Sequence, residues 1–475
     1  MTKIWYHKAM TKLQTLKGFR DFLPIEAKKR QFVLDILKQV FESYGFEPLE
    51  TPALEYEEIL LGKYGDEGDK LMYRFEDNGK RKVALRYDQT VPLARVIAQY
   101  QNELPMPFKR YQIQNVWRAD NTQKGRYREF LQCDADIVDS SSPLSDAEII
   151  VTAVKSLEEL GFKNYKILIN DRNSLEEGSK LLGINPNKTE QVIREQDKIG
   201  KLSEKEIFQN IFSITTNTSL ASVASGTINS LEDLRSTEKA KTIGEWISEM
   251  NIKTNDNPKG DTGQILSEFD KAAKGDTGVY LKEYAISEPN AIKEIRINLT
   301  KLGLDSEKII YKRTLARGLS YYTRMIFEVE IESYNAGSVC GGGRYDDLIG
   351  TFAGKQIPAV GFSFGFDRLM EAMEELNLFP AELVTTKVLV TVFPEWENKS
   401  LEVARMLREE NINTEIYLED AKMEKQLKYA DKKQIPYAVI IGTDEAKNDT
   451  VTVKDLKTRT QKTLPFNQLP DLFKE

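Results

Sequence analysis

The clearest pattern near the N-terminus is a row of apolar residues at helical spacing: Val33, Ile36, Leu37, Val40, Phe41 and Tyr44. This spacing predicts a helix with one buried face, and Gly45 suits the C-terminal end of that helix. Residues 47–55, which include Pro52, come next. We interpret them as an extended segment, so the first recognisable unit is a helix followed by a strand.

Period-two alternation is the next informative pattern. Residues 83–87, 111–118 and 130–138 each predict a strand. The last strand places apolar side chains on one face and mostly polar ones on the other: Leu131, Cys133, Ala135 and Ile137 against Phe130, Gln132, Asp134 and Asp136. An apolar face opposite a face of amides and acids predicts an antiparallel sheet that lines a polar pocket.

The character of the chain changes twice beyond these strands. Residues 172–300 are charged and mostly helical in pattern, so we expect a helical insertion between two halves of the sheet. From residue 386 onward strands and helices alternate, which favours a small α/β domain. Its predicted strands are 388–393, 413–418, 437–441 and 450–454, and its predicted helices are 400–409 and 421–433. We therefore expect an extension (1–16), a main domain (17–382) and a C-terminal domain (386–475).

Composition narrows the possible chemistry. The 475 residues are 40% hydrophobic and 30% charged, as in a globular chain of about three domains. No run approaches the ~18 apolar residues of a membrane span. The two cysteines, Cys133 and Cys340, lie far apart, and the single histidine is His7. These counts argue against a disulfide framework, a metal site and a histidine general base, and they favour a reducing cytoplasm. With a net charge of -7, nucleic acid would bind only through local basic patches.

Fixed cations are concentrated around residue 118. Arg118 ends a predicted strand, a polar stretch with Gly125 follows, and Arg126 and Arg128 lead into the next strand. Guanidinium groups bind phosphate or carboxylate bidentately and keep their charge. The segment therefore predicts an anion-binding site, although surface arginines in a hairpin would explain it equally well taken alone.

Four further blocks accompany Arg118 in a fixed order: residues 85–90 (Leu-Arg-Tyr-Asp-Gln-Thr), 317–328 (Arg-Gly-Leu-Ser-Tyr-Tyr-Thr-Arg-Met-Ile-Phe-Glu), 341–346 (Gly-Gly-Gly-Arg-Tyr-Asp) and 361–368 (Gly-Phe-Ser-Phe-Gly-Phe-Asp-Arg). Together they resemble the signatures of the histidyl-tRNA synthetases, a family of class II aminoacyl-tRNA synthetases. The resemblance extends from Lys17 to the end of the chain. It implies an α+β fold: an antiparallel-sheet catalytic domain with a helical insertion, plus a C-terminal α/β anticodon-binding domain.

The resemblance implies a set of ATP contacts. Arg118 would hold the α-phosphate and the amino-acid carboxylate, and Arg126 would meet the γ-phosphate. Phe130 would stack beneath the adenine ring, and Arg368 would cover its other face. Asp120 would lie near the adenine amino group, where the family often carries the longer Glu.

The resemblance also implies a histidine pocket. Asp88 and Thr90 would hold the α-ammonium group, for which a carboxylate is the expected partner. Asp136 and Tyr322 would bind opposite edges of the imidazole ring, and such paired polar groups reject apolar side chains of the same shape. Gln132 matches a further position of this pocket.

Arg317 is the candidate catalytic residue, because in the family this arginine lies opposite Arg118 across the α-phosphate. Two opposed guanidinium groups would stabilise the charge that spreads over the phosphoryl oxygens. A structural ion pair is the alternative role for Arg317. Tyr321, Gly341 and Gly343 belong to the same blocks and would form a wall of the histidine pocket.

Lysines crowd one predicted helix of the C-terminal domain: Lys422, Lys425, Lys428 and Lys432. Such a helix is either a phosphate-binding patch or simply a solvated surface. Residues 428–442 resemble the anticodon-binding domain of several class II synthetases, which favours RNA.

The sequence therefore predicts a histidine–tRNA ligase that uses L-histidine, ATP with Mg²⁺, and tRNA(His). The family implies a homodimer, a cytoplasmic location and no membrane contact. A catalytically inactive relative is the main alternative, either a regulatory protein that binds histidine or a sensor of uncharged tRNA. Such relatives usually lack the anticodon domain or the phosphate-binding arginines. A class II synthetase for another amino acid is disfavoured by Asp136, Tyr322 and Arg317 together.

Overall fold

The structure, a computed structural model, describes residues 13–473 with several gaps. The gaps are residues 123–124, 182–183, 197–287 (apart from 210 and 214), 313–314, 317–320, 335–336, 381–382 and 384. The chain forms two compact units that divide after Phe379. None of the helices in the described ranges is long and apolar enough to cross a membrane.

The first unit is built on an eight-stranded sheet with the order β1-β5-β6-β11-β10-β9-β7-β8. Its strands are β1 (Glu47–Pro48), β5 (Phe108–Trp117), β6 (Glu129–Val138), β7 (Tyr165–Asp171), β8 (Ile309–Tyr311), β9 (Met325–Ile331), β10 (Cys340–Arg344) and β11 (Ala359–Gly365). Neighbouring strands are antiparallel except for the β1–β5 and β7–β8 pairs at the two edges. A separate sheet has the order β2-β4-β3, from β2 (Leu54–Tyr56), β3 (Arg74–Glu76) and β4 (Lys82–Leu85).

The two faces of β6 differ as the alternation predicts. Cys133, Ala135 and Ile137 are buried in the apolar core of this unit. The intervening Asp134 and Asp136 are also buried, but they line a cavity on the opposite face. The prediction of an antiparallel sheet with one apolar and one polar face is confirmed.

Helices pack against both faces of the sheet, where two separate apolar cores form. They are α1 (Pro24–Ser43), α2 (Glu57–Leu60), α3 (Gly65–Leu71), α4 (Thr90–Tyr100), α5 (Pro143–Glu159), α6 (Arg172–Leu181), α7 (Pro186–Gln196), α8 (Asn290–Lys301), α9 (Gly350–Ala353) and α10 (Phe366–Glu375). The predicted N-terminal helix is α1: it starts at a proline, which suits a first helical position, and Gly45 follows its end with φ of +77°. Its buried residues Val33, Leu37, Val40 and Phe41 face the core.

The helix α8 shows how one end of the expected insertion packs. It lies within residues 172–300, yet its buried side chains Ile292, Ile295 and Leu299 belong to the same apolar core as the sheet. Because α8 also packs against α5, this end of the predicted insertion shares the core of the first unit.

The second unit is a small α/β fold. Its mixed sheet has the order β13-β12-β14-β15-β16, with β12 (Val388–Val390), β13 (Thr414–Ile416), β14 (Tyr437–Ile440), β15 (Thr450–Asp455) and β16 (Gln461–Pro465). Its helices are α11 (Glu397–Glu409), α12 (Met423–Lys432) and α13 (Thr443–Lys447). The alternation of strands and helices is confirmed, but the sequence analysis missed β16 and α13, which are short and carry few apolar residues.

Candidate active site

A cavity of about 780 Å³ opens on the polar face of the large sheet. Strands β6, β10 and β11 form its floor, and the N-terminal turns of α4 and α10 reach its rim. It brings together twelve of the residues predicted from sequence: Asp88, Thr90, Arg118, Asp120, Arg126, Phe130, Gln132, Asp136, Tyr321, Tyr322, Gly341 and Arg368. Blocks that are up to 280 positions apart in the sequence therefore share one site.

Three arginines define one end of the cavity, which we call the arginine end: Arg118, Arg126 and Arg368. Arg118 directly follows β5, and its Nε donates to the Tyr87 carbonyl oxygen at 3.0 Å. Its guanidinium lies 4.4 Å from the centre of the Tyr87 ring and 5.2 Å from that of Phe130. The two rings limit the movement of this cation, so it enters the site in a fixed orientation.

Arg126 is held by a carboxylate in this structure. Its Nε and Nη2 each lie 3.0 Å from an oxygen of Asp120, which makes a bidentate pair. The Arg126 side chain is 52% exposed, whereas that of Asp120 is only 8% exposed. Gly125, with φ of +70°, permits the turn that precedes Arg126. An anion that binds Arg126 has to share it with Asp120 or displace that carboxylate.

Arg368 reaches the same end from α10. That helix begins at Phe366, so Arg368 lies in its first turn. The Arg368 Nη1 donates to the Ser338 carbonyl oxygen at 3.3 Å. Phe130 lines the same cavity and supplies an aromatic surface. Both an aromatic ring and a guanidinium can stack on a flat heteroaromatic group.

Three buried carboxylates define the other end, which we call the acidic end: Asp88, Asp134 and Asp136. Asp88 Oδ1 accepts from the Tyr64 hydroxyl at 2.8 Å and from the Thr90 and Val91 amides at 3.0 and 3.2 Å. Its Oδ2 is buried and has no hydrogen-bond partner among the described residues. Burial raises the pKa of Asp88, and Arg118 opposes that rise.

Asp136 is already neutralised by neighbours. Its Oδ2 lies 2.7 Å from Nη2 of the fully buried Arg110, and its Oδ1 accepts from the Tyr345 hydroxyl. Arg110 and Asp136 are direct partners in the β5–β6 pairing. Burial still raises the pKa of Asp136, with Arg110 as the main opposing influence. Asp136, which was expected to bind the imidazole ring, therefore has fewer hydrogen-bonding positions left for a ligand than its place on the strand suggested.

Asp134 lacks such a partner. Its Oδ1 is buried without a hydrogen-bond partner in the described part of the chain. Burial raises the pKa of Asp134 to about 7, against the lowering effect of Arg110. Gln132 on the same strand face donates to the Ser363 hydroxyl at 3.2 Å, while its Oε1 is buried without a partner in the same ranges. Unpaired buried oxygens are costly, so these atoms favour a ligand with N–H donors.

Two adjacent tyrosines and a glycine strand close the acidic end. The Tyr321 hydroxyl lies 3.3 Å from Thr90 Oγ1, and its ring packs edge-to-face on that of Tyr322 at 5.0 Å. Gly341 lines the cavity, but Gly343 does not. A Cβ at Gly343 would come within 2.6 Å of the Met325 carbonyl oxygen and 2.8 Å of the Tyr322 ring, so this close packing requires a glycine.

Several predicted residues fall elsewhere. Arg317, the candidate catalytic residue, lies outside the described residues; Ala316, immediately before it, is buried. Lys422, Lys425, Lys428 and Lys432 lie in the second unit, where all four are exposed along or beside α12. Lys428 is paired with Glu424 at 2.8 Å.

The structure adds residues to the site that the sequence analysis did not select: Tyr64, Arg110, Asp134, Arg194 and Tyr345. Arg110 lies on the polar face of β5, and Tyr345 lies inside the 341–346 block, so both carried a usable signal. Arg194 comes from α7, a segment in which no motif was recognised. In the described ranges, no group of three His, Cys, Asp or Glu side chains is placed to hold a metal ion.

Comparisons with known proteins identify the relatives of this chain. A family model described as histidyl-tRNA synthetase matches residues 18–242 and 202–369, and an anticodon-binding domain model matches residues 387–475. The histidine–tRNA ligase of Christiangramia forsetii is 38% identical, over 96% of this chain and 98% of that protein. That of Cytophaga hutchinsonii is 37% identical, over 97% and 99%.

Solved structures give the same relationship. The crystal structure of histidyl-tRNA synthetase from Nostoc matches with a TM-score of 0.75 and 28% identity, covering 98% of this chain and 99% of that one. A Bacillus halodurans structure described as an ATP phosphoribosyltransferase regulatory subunit/histidyl-tRNA synthetase matches with a TM-score of 0.63 and 20% identity, over 88% and 97%. The latter likeness concerns the fold alone. With its motifs gathered in one cavity and relatives that match over nearly its whole length, the chain belongs to the histidyl-tRNA synthetase family.

Proposed function

We propose that this chain is a histidine–tRNA ligase. It would activate L-histidine with ATP to give histidyl-adenylate and pyrophosphate, and then transfer the histidyl group to tRNA(His). The observation that carries the proposal is the division of one cavity into an acidic end with open carboxylate oxygens and an arginine end. Histidine presents N–H donors and positive charge, while ATP presents phosphates and a flat base, so the two ends complement the two substrates.

At the acidic end, the Asp88 Oδ2 would receive the α-ammonium group, with Thr90 beside it. A charged donor would supply the partner that this buried oxygen lacks. Asp136 and Tyr322 would bind the imidazole ring, with Gln132 as a further contact. Asp134 is a strong addition to this set, because its open Oδ1 lies in the same wall.

At the arginine end, Phe130 and Arg368 would hold the adenine between them, and Asp120 would lie near its amino group. Arg126 would exchange its contact with Asp120 for the γ-phosphate. Arg118 and Arg317 would flank the α-phosphate from opposite sides. Mg²⁺ would enter as part of the MgATP substrate and would offset the charge of its phosphates.

The chemistry of activation requires no proton transfer. A carboxylate oxygen of histidine attacks the α-phosphorus, the new P–O bond forms, and the bond to the bridging oxygen breaks so that pyrophosphate leaves. Negative charge spreads over the phosphoryl oxygens during this step, and fixed guanidinium groups stabilise it electrostatically. This agrees with a sequence whose single histidine, His7, lies before the first motif.

The remaining proposals concern partners and setting. The exposed lysines of α12 would contact phosphates of tRNA(His), consistent with the anticodon-binding domain model that covers them. The family resemblance also implies a homodimer. Cys133 and Cys340 are buried and form no disulfide, which suits the reducing conditions of a cytoplasm.

Amino-acid-dependent ATP–pyrophosphate exchange tests the function directly. We expect exchange with histidine and with none of the other nineteen amino acids, in the absence of tRNA. Arg317→Ala should abolish that exchange while histidine still binds, as measured by calorimetry. Folded protein that binds histidine but gives no exchange would overturn the proposal in favour of a regulatory relative.

A further inference from the structure

The segment before α1 lies against both elements that carry the arginines of the ATP site. We call residues 18–22 the N-terminal brace. The Gly18 carbonyl oxygen accepts from the Arg128 amide at 2.9 Å. Gly18 has φ of +88°, and a Cβ there would come within 2.7 Å of Arg128 Cγ and 2.8 Å of Thr122 Cγ2. The brace is therefore fitted closely to the connection between β5 and β6, on which Arg126 lies.

One guanidinium of the brace spans two parts of the cavity wall. The Arg20 Cζ lies 3.2 Å from the centre of the Tyr127 ring, and its Nη2 lies 2.8 Å from Asp367 Oδ1. Tyr127 directly follows Arg126, and Asp367 directly precedes Arg368. Both Tyr127 and Asp367 line the cavity, so Arg20 joins the immediate neighbours of two ATP-site arginines.

Further contacts from Arg30 and Phe22 hold Arg20 and Asp367 in place. Arg30, on α1, also reaches Asp367 Oδ1, at 3.3 Å. The Phe22 ring lies 4.9 Å from the Arg20 guanidinium and 3.9 Å from that of Arg30. The Asp367 side chain is only 10% exposed, and partly buried ion pairs with planar guanidinium groups resist displacement better than surface pairs do.

We infer that Arg20 is a positioning residue for the nucleotide: it holds the Arg126 segment against the first turn of α10, so that Arg126 and Arg368 face one bound ATP. This role rests on the proposed function and extends it to a residue that does not line the cavity. It assigns Arg20 to the ATP subsite alone, because the two cavity-lining residues that it contacts, Tyr127 and Asp367, adjoin Arg126 and Arg368 of the arginine end.

The chain offers a matched control for a purely structural ion pair. Lys29 on α1 pairs with Glu374 on α10 at 3.0 Å. This ion pair connects α1 to α10, the helix that Arg20 also contacts, but neither Lys29 nor Glu374 lines the cavity. Removing the Lys29 charge therefore shows how loss of one ion pair to α10 affects ATP affinity when the wall of the site is left intact.

The test compares Arg20→Met and Lys29→Met with the unaltered full-length chain. MgATP affinity is measured by calorimetry, and KM values for ATP and histidine come from pyrophosphate exchange. For Arg20→Met we expect ATP affinity to fall and KM for ATP to rise by about 10- to 100-fold, the scale of a 1 Å misplacement. KM for histidine should change by less than about twofold. Lys29→Met should leave both constants unchanged within that margin. Arg20→Lys keeps the charge that pairs with Asp367 but loses the planar contact with Tyr127. Its ATP affinity should therefore lie between those of the unaltered chain and Arg20→Met.

Each outcome decides the inference. Unchanged ATP affinity in Arg20→Met would overturn it, and so would equal losses for ATP and histidine that follow a lowered Tm. If Arg20→Met does not fold, the same ATP affinity and KM values are measured for Arg20→Lys and Tyr127→Leu, and these values decide the inference. Absence of exchange in the unaltered chain would overturn the proposed function instead, and MgATP calorimetry would still report on Arg20.

Discussion

The two ends of the cavity hold their charged side chains in different environments. The carboxylates of the acidic end are almost completely buried, at 1% to 3% exposure for Asp88, Asp134 and Asp136. The Arg126 side chain at the arginine end is 52% exposed and already paired. Burial raises the pKa of each of the three carboxyl groups, whereas a guanidinium keeps its charge in nearly any setting.

This difference separates the tasks of the two ends. A buried carboxylate without a partner is unfavourable until a cation arrives, so the acidic end gains selectivity from desolvation. A half-exposed arginine contributes little to ground-state selectivity, but its permanent charge is available when charge develops on phosphorus. Substitutions at the acidic end should therefore affect histidine affinity, and substitutions at the arginine end should affect the rate of activation.

The largest effect is expected at the arginine end. Arg118→Met should lower kcat/KM for histidine-dependent exchange by about a thousandfold or more, because it removes a fixed cation from the transition state. Arg74→Met serves as a control, since Arg74 forms a pair with Glu57 away from the cavity. A loss of less than about tenfold for Arg118→Met would contradict the assignment of this end to catalysis.

The next effect should appear at the acidic end. Asp88→Asn removes the negative charge facing the α-ammonium group and should raise KM for histidine by about 10- to 100-fold, the range for a charged hydrogen bond. KM for ATP in the same variant is the internal control and should stay within about twofold. A parallel rise in both constants would show that the two ends are not independent.

Much of this division was predictable from the sequence, and the reason is the period of a strand. Alternation along β6 placed Gln132, Asp134 and Asp136 on one face before any partner was known, and the cavity lies on that face. The pairing of Arg110 with Asp136 could not be predicted in the same way. It depends on the register between β5 and β6, which is set by the fold of the whole sheet rather than by either strand.

The same limit applies to contacts between distant segments. Gly343 belongs to a recognised block, but its close packing against Tyr322 depends on a different segment of the chain. The helix α8 was assigned to an insertion because charged residues dominate the segment around it. Its three buried apolar residues are spaced to fit α5, and only the tertiary contact reveals that it belongs to the core.

A smaller effect should distinguish Asp134 from Asp136 as the contact for the imidazole ring. Asp134→Asn should weaken histidine binding by about tenfold at pH 8, because an amide replaces a charged acceptor. Titration calorimetry at pH 8 measures this directly. Asp347→Asn is a suitable control, since Asp347 is exposed and accepts from Gln356 outside the cavity. Unchanged affinity in Asp134→Asn would leave Asp136 as the main ring contact.

Asp134 should also leave a signature in stability. Its pKa is about 7 in the folded chain, against the ordinary value of 3.8. A raised carboxyl pKa favours folding below pH 3.8, and this contribution is lost as the pH rises through about 7. The free energy of unfolding of the unaltered chain, relative to Asp134→Asn, should therefore decrease between pH 5 and pH 8. Denaturant titrations at several pH values check the slope; an increase would contradict the raised pKa that burial gives Asp134.

The smallest effect is expected in the second unit. Lys422→Gln combined with Lys432→Gln removes two exposed charges beside α12 and should raise KM for tRNA about threefold, more at low salt than at high salt. Exchange without tRNA should be unchanged, because neither lysine lines the cavity. Lys462→Gln, at an exposed position on β16, controls for loss of charge in the same unit. If the control raises KM for tRNA as much as the double variant does, general positive charge rather than the α12 surface attracts the RNA.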